Sequence, residues 1–171
     1  MLILLAVLLL ALGALYAAAS EKIDRTPVGS FDLGRYMGTW YEIARYEHRF
    51  ERGLEAVEAF YALRPDGRID VVNSGEDFHS GKRRVSRGKA VPGRIPGRLR
   101  VSFFWFFYTE YNVLELGEEY DWALVGGHTS KYLWILSRTP TLPAVTLNRI
   151  LHRAVQRGYT TGRLHYVDHG R

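Results

Sequence analysis

The sequence predicts an all-β fold: an eight-stranded antiparallel up-and-down barrel with one C-terminal α-helix packed outside. Three observations carry that expectation. Eight short runs rich in aromatic and branched residues are separated by turn residues at regular spacing. One later stretch changes to the period of an amphipathic helix. Finally, consecutive hairpins leave two exposed sheet edges unless the sheet closes on itself.

The first run, residues 39–46, begins after Gly38. Residues 54–63 follow and stop at Arg64-Pro65-Asp66-Gly67. That stretch favours a turn because proline presets φ, aspartate bonds its own backbone and glycine accepts positive φ. Residues 69–73 come at once, so the two runs form a hairpin. Residues 82–91 are polar and basic and close at Pro92-Gly93. Residues 99–105 and 111–116 alternate. Gly117-Glu118-Glu119 turns into 120–125, Gly126-Gly127 turns again, and 132–137 is the eighth run. Leu147, Ile150, Leu151, Ala154 and Val155 then recur three and four apart, as on one face of a helix. Pro143 suits its first turn and Gly158 its C-terminal cap. Arg149, His152, Arg153 and Arg157 fall on the wet face or in the last turn, where positive charge complements the helix dipole. Residues 164–167 read as a last short strand.

The chain has 171 residues, 47% of them hydrophobic, enough for one sizeable core. A net charge of +5 allows an anionic partner or surface but by itself speaks only for solubility. Residues 2–19 carry no charge and end in Ala17-Ala18-Ala19, so 1–19 read as a secretory signal peptide, or as an uncleaved signal anchor. Residues 20–30 form a polar linker and 31–170 the barrel domain. The domain is expected to be exported, periplasmic or envelope-associated. There are no cysteines, which excludes disulfides and thiolate chemistry. No Gly-x-Ser-x-Gly, phosphate-cradling loop, nucleophile–base pair or metal-ligand spacing of the six histidines is present. Neither an enzyme, a cofactor, a metal nor a nucleic-acid partner is expected.

Three motifs are more specific. They are Gly38-Thr39-Trp40-Tyr41-Glu42-Ile43-Ala44-Arg45, Glu118-Glu119-Tyr120 through Ala123-Leu124-Val125, and Trp134-Ile135-Leu136-Ser137-Arg138-Thr139-Pro140. Together, in this order, they resemble the lipocalin family, nearest its bacterial outer-membrane and apolipoprotein D branches. The resemblance runs from about Asp32 to His169. It implies that Trp40 closes the barrel base with Arg138 packed across it, Gly38 allowing close approach before the strand. Cation–π attraction between guanidinium and indole agrees with that role. Bacterial members commonly carry a lipidated Cys after the leader; here that stretch reads Ala17-Ala18-Ala19-Ser20, so no such anchor is expected at this place. The second motif departs from the family's usual Thr-Asp-Tyr, which weakens any receptor-contact role for that turn.

Strand side chains alternate between faces, so one anchored residue assigns its neighbours. With Trp40 inward, Glu42 and Ala44 are expected inward. Arg138 at the base brings Leu136, Trp134 and Tyr132 to the inner face. The family pattern implies Val57, Ala59 and Tyr61 inside on the second strand. It implies Val71 and Asn73 on the third, and Val101, Phe103 and Trp105 on the fifth. Alternation adds Tyr111 and Val113, then Ala123 and Val125. Glu42 is expected to bond within the base near Arg138. His48 and His79, near the mouth, are the only candidates for a haem ligand.

This lining suits a small apolar ligand such as a fatty acid or lysophospholipid, oriented by a few polar atoms. The expected function is a lipid-binding carrier of the bacterial envelope. The alternatives are an enzyme acting on a lipid-like substrate in the same cavity and a membrane-docking envelope protein. The rival packing is a barrel filled by its own side chains. Residues 103–108 (Phe-Phe-Trp-Phe-Phe-Tyr) are more aromatic than a buried strand requires, and their second half is expected to form a loop at the mouth, either contacting a membrane surface or folding inward as a lid. The basic residues of 82–100 are expected on a solvated outer face, with anionic lipid headgroups as the alternative.

Overall fold

A computed structural model of the chain describes residues 23–104 and 107–170. The leader expectation and Trp105 lie outside them. Among the described residues no helix is long and apolar enough to cross a membrane.

Strands β1 (Gly38–Tyr46), β2 (Leu54–Leu63), β3 (Ile69–Asp77), β4 (Arg83–Pro92), β5 (Arg98–Phe104), β6 (Phe107–Leu116), β7 (Trp122–Gly127) and β8 (Leu133–Ser137) pair antiparallel, each with the next. β1 then pairs with both β8 and β2, which closes the ring. The short β9 (Leu164–Tyr166) lies outside the ring and takes the edge of β1 beyond its pairing with β2. The turn at 64–67 forms as its residues dictate, with Gly67 at φ 77°.

Two of the strands that close the barrel are bulged. In β1, Glu42 pairs with Leu136 but Ala44 pairs with Ile135, so one extra residue is accommodated between them. In β6, Val113 pairs with Val125 and Glu115 with Leu124. A bulge sends two successive side chains to one face and reverses the alternation beyond it. Ile43, Ala44 and Leu114 consequently join Leu124 and Ile135 in a cluster on the outer wall.

Helix α2 (Ala144–Gln156) covers that cluster with Ile150 and Ala154, fully buried, and with Leu147 and Leu151. Val155, expected on the same stripe, is exposed. The helix ends where predicted: Gly158 takes φ 88° and the Tyr159 N–H donates to the Ala154 carbonyl. Arg157 does more than complement the helix dipole. Its guanidinium donates to the Leu114 carbonyl at 2.7 Å, Glu115 Oε1 at 2.8 Å, the Thr26 carbonyl at 2.9 Å and Asp24 Oδ2 at 3.1 Å. The β6 bulge, the N-terminal segment and the helix end meet on this one side chain.

Removing it leaves two carbonyls without their charged donor. Arg157→Ala is expected to cost about 3 kcal/mol in chemical unfolding, since hydrogen bonds to charged groups contribute roughly 1.5–3 kcal/mol each. Amide exchange in α2 should accelerate while β3 and β4 keep their protection.

Candidate functional site

The barrel has a closed base and a mouth. At the base, α1 (Leu33–Tyr36) is capped by Asp32, whose Oδ1 accepts from the Arg35 N–H, and it carries Tyr36 across the opening. Trp40 is fully buried and its indole N–H donates to the Tyr36 carbonyl at 2.8 Å. Arg138 stacks 3.8 Å above the Trp40 ring. Its remaining donors go to the carbonyls of Thr39 (2.8 Å), Arg35 (2.7 Å) and Tyr120 (3.2 Å). Gly38 takes φ 95°, where a side chain would be strained, and a Cβ there would lie 3.4 Å from that guanidinium. Tyr120 joins the base through its hydroxyl, which accepts from the Asp32 N–H at 2.7 Å.

Above this plate the lower interior is filled. Tyr36, Trp40, Ile69, Leu99, Val113, Ala123 and Val125 are essentially inaccessible and form one cluster with Tyr61, Val71, Val101 and Leu136. Three tyrosine hydroxyls meet within it: Tyr36 and Tyr111 at 2.6 Å, with Tyr61 donating to Tyr111 at 3.3 Å. Burial pushes all three pKa values up, that of Tyr61 to about 12, so the hydroxyls stay neutral. Tyr36 was invisible to strand alternation because it precedes the first strand.

Toward the mouth the inner wall changes. Phe103 and Trp134 near the mouth, with Ala59 and Asn73 at mid-barrel, where Ala59 pairs with Trp40, sit on four different strands and face inward, yet each keeps part of its surface accessible. Asn73 pairs with Ala59 across β2 and β3, and its Oδ1 has no hydrogen-bond partner among the described residues. Val57 is buried and its side chain approaches Gly75 on β3. Tyr132 lies just before β8, its ring stacked on Trp134 at 5.8 Å.

Two expectations fail here for one reason. Ala44 does not face the interior; the β1 bulge turns it outward beneath α2. The bulge instead brings in Arg45, which is fully buried opposite Trp134. Glu42 faces inward but bonds Arg45 at 2.9 Å and not Arg138. Arg45 also donates to the carbonyls of Glu51 (2.8 Å) and Leu54 (3.1 Å), which holds the 47–53 loop against the mouth. Within that loop, Glu51 Oε2 lies 2.9 Å from His48 Nε2 and accepts from the Trp134 indole at 3.1 Å. His48 is thus packed among Tyr132, Trp134 and Glu51, while His79 is exposed beside Phe78. No cluster of metal-binding side chains occurs among the described residues.

The Arg45 guanidinium thus bonds the Glu42 carboxyl but meets Glu51 only at its backbone carbonyl. Burial, reinforced by the Glu51 charge, pushes the Glu42 pKa up to about 8 despite Arg45. Burial also opposes ionisation of Glu51, but hydrogen bonds from His48 and Trp134 outweigh it and hold its pKa below the usual carboxylate range. Glu51 is the ionised partner and Glu42 the protonated one at neutral pH. A carboxyl whose pKa is raised on folding binds a proton in the folded state that the unfolded chain has released. Its contribution is fully present below about 4.5 and is lost as pH rises toward about 8. Glu42→Gln keeps an acceptor for Arg45 and cannot ionise. Thermal melts across that range should fall more with rising pH in the parent chain than in the variant; parallel curves would remove this assignment.

A lipocalin-like domain pattern matches residues 31–169. The chain is 49% identical over 145 residues to outer membrane lipoprotein Blc of Escherichia coli strain K12, covering 84% of this chain and 82% of that protein. It is 36% identical over 157 residues to apolipoprotein D of Bos taurus, covering 82% of each. The solved structure of insecticyanin from the tobacco hornworm Manduca sexta superposes with a TM-score of 0.72 over 86% of both chains at 20% identity, a likeness of fold alone. The chain belongs to the lipocalin family.

Proposed function

We propose that the protein is a carrier that holds one small apolar molecule, such as a fatty acid or lysophospholipid, in the upper half of its barrel. The observation behind this is the partial accessibility of Ala59, Asn73, Phe103 and Trp134 inside a closed wall. A barrel filled by its own side chains would leave such residues no free surface. Apolar area lost from water there contributes about 25 cal/mol per Å², without direction. Asn73 Oδ1 and protonated Glu42 supply the few polar contacts that orient a ligand. In this reading Val57 extends the wall, and the packed cluster of Tyr61, Val71, Val101, Tyr111, Val113, Ala123, Val125 and Leu136 forms the floor beneath the ligand. The kinship with an outer membrane lipoprotein supports a place at the bacterial envelope.

Trp134 reports occupancy, because its indole faces the accessible space and bonds Glu51. Titration with a fatty acid should change its fluorescence saturably. Ala59→Phe places a ring in that space and should weaken binding about ten-fold or more, equivalent to roughly 1.4 kcal/mol, with the fold retained. Undiminished binding would move the site elsewhere, and no saturable response in the parent chain would end the carrier reading.

A further inference from the structure

In an up-and-down barrel the first, third, fifth and seventh connections share one end. Here the described ones are 47–53, 78–82 and 128–132, and at the same end β5 stops at Phe104 and β6 starts at Phe107. Five phenylalanines are strongly exposed among the described residues, and four of them flank or occupy this end. Phe50 is 58% exposed on the first connection and Phe78 is 72% exposed on the third. Phe104, 64% exposed, pairs with Phe107 at the fifth. Among the described residues the opposite end exposes only Leu63 and Ile95 of comparable size, among Arg64, Asp66, Arg68, Glu118 and Glu119.

Charge at the mouth is just as uneven. Arg49, Arg52, Lys82 and Lys131 are exposed, and none forms an ion pair among the described residues. The acids nearby are largely withdrawn: Glu51 is held by His48 and Trp134, and Asp77 is held by Arg84 and the Ser80 turn. Glu47, 3.9 Å from Arg45, Glu76 and Asp168 are the exposed acids there. The Arg49 guanidinium lies 4.7 Å from the centre of the Phe50 ring, so cation and ring are presented together.

We infer that the mouth of the barrel docks on an anionic lipid bilayer, with Phe50, Phe78 and Phe104 entering the headgroup–acyl boundary and Arg49, Arg52 and Lys82 meeting lipid phosphates. The three rings come from three separate parts of the chain at one end of the barrel, and a fluid interface receives all of them at once. Basic side chains beside them lie where the negative surface potential is strongest. In this pose the mouth opens onto the membrane, and a lipid passes between bilayer and barrel without crossing water.

Residues 23–170 contain every described strand and helix and both hydrophobic clusters, so the test uses the chain from Glu21 onward. Because the chain has no cysteine, His79→Cys at the mouth and Glu118→Cys at the base can each carry one environment-sensitive fluorophore. Vesicles of phosphatidylcholine with an equal part of phosphatidylglycerol should shift the label at 79 to the blue and leave that at 118 unchanged. Phe50→Ser with Phe78→Ser should lower the partition coefficient about ten-fold or more. Arg49→Gln with Lys82→Gln should lower it several-fold and reduce its salt dependence. In both pairs the Trp134 response to soluble fatty acid should persist, which separates docking from carriage. A shift at 118, none at either position, or partitioning indifferent to the phenylalanines would overturn the inference. So would a phenylalanine-dependent dimer in vesicle-free solution, which would make the rim a contact between copies.

Discussion

Strand β1 is the constraint on which the rest depends. It is hydrogen-bonded along both edges, to β8 on one and to β2 and then β9 on the other, and without it the sheet has no closure. Its bulge divides its side chains between two cores. Trp40 and Glu42 serve the interior, Ile43 and Ala44 serve the helix-covered outer wall, and Arg45 returns to the interior. The matching bulge in β6 turns Leu114 toward the same helix and presents its carbonyl to Arg157. A regular strand would leave α2 with fewer apolar neighbours and the mouth without its buried guanidinium.

The interior is graded along the barrel axis. The base is a plate of stacked and hydrogen-bonded groups in which Trp40, Tyr36 and Arg138 satisfy one another and several backbone carbonyls. Satisfied polar groups cost little to bury, and the packed aromatics above them leave no space. Nearer the mouth, Arg45 draws its bonds from backbone and carboxyls close to its own strand, and the wall keeps accessible apolar surface. Rigid floor and receptive upper wall thus follow from which residues each strand places at each height.

Much of this was legible in the sequence. The strands could be read because proline, glycine and aspartate mark the turns, and the helix because its period differs from that of a strand. The base was legible through the lipocalin resemblance that Gly38, Trp40 and Arg138 carry, with which stacking of a guanidinium on an indole agrees. The bulges were not. Neither Ile43-Ala44 nor Leu114-Glu115 contains a residue that announces an extra position, so simple alternation put Ala44 inside and missed Arg45. Tyr36 was missed because its placement depends on α1 crossing the base. Phe50 and Phe78 carry no signal in the sequence, since only the closed topology brings their loops to one end.

An apolar carrier is defined by what occupies it. Native mass spectrometry of the protein recovered gently from a membrane extract of its own cell tests that directly. The account predicts one apolar molecule of lipid size per chain, released on delipidation and regained on re-exposure to the extract. A chain that emerges empty and stays empty in the presence of that extract would contradict it.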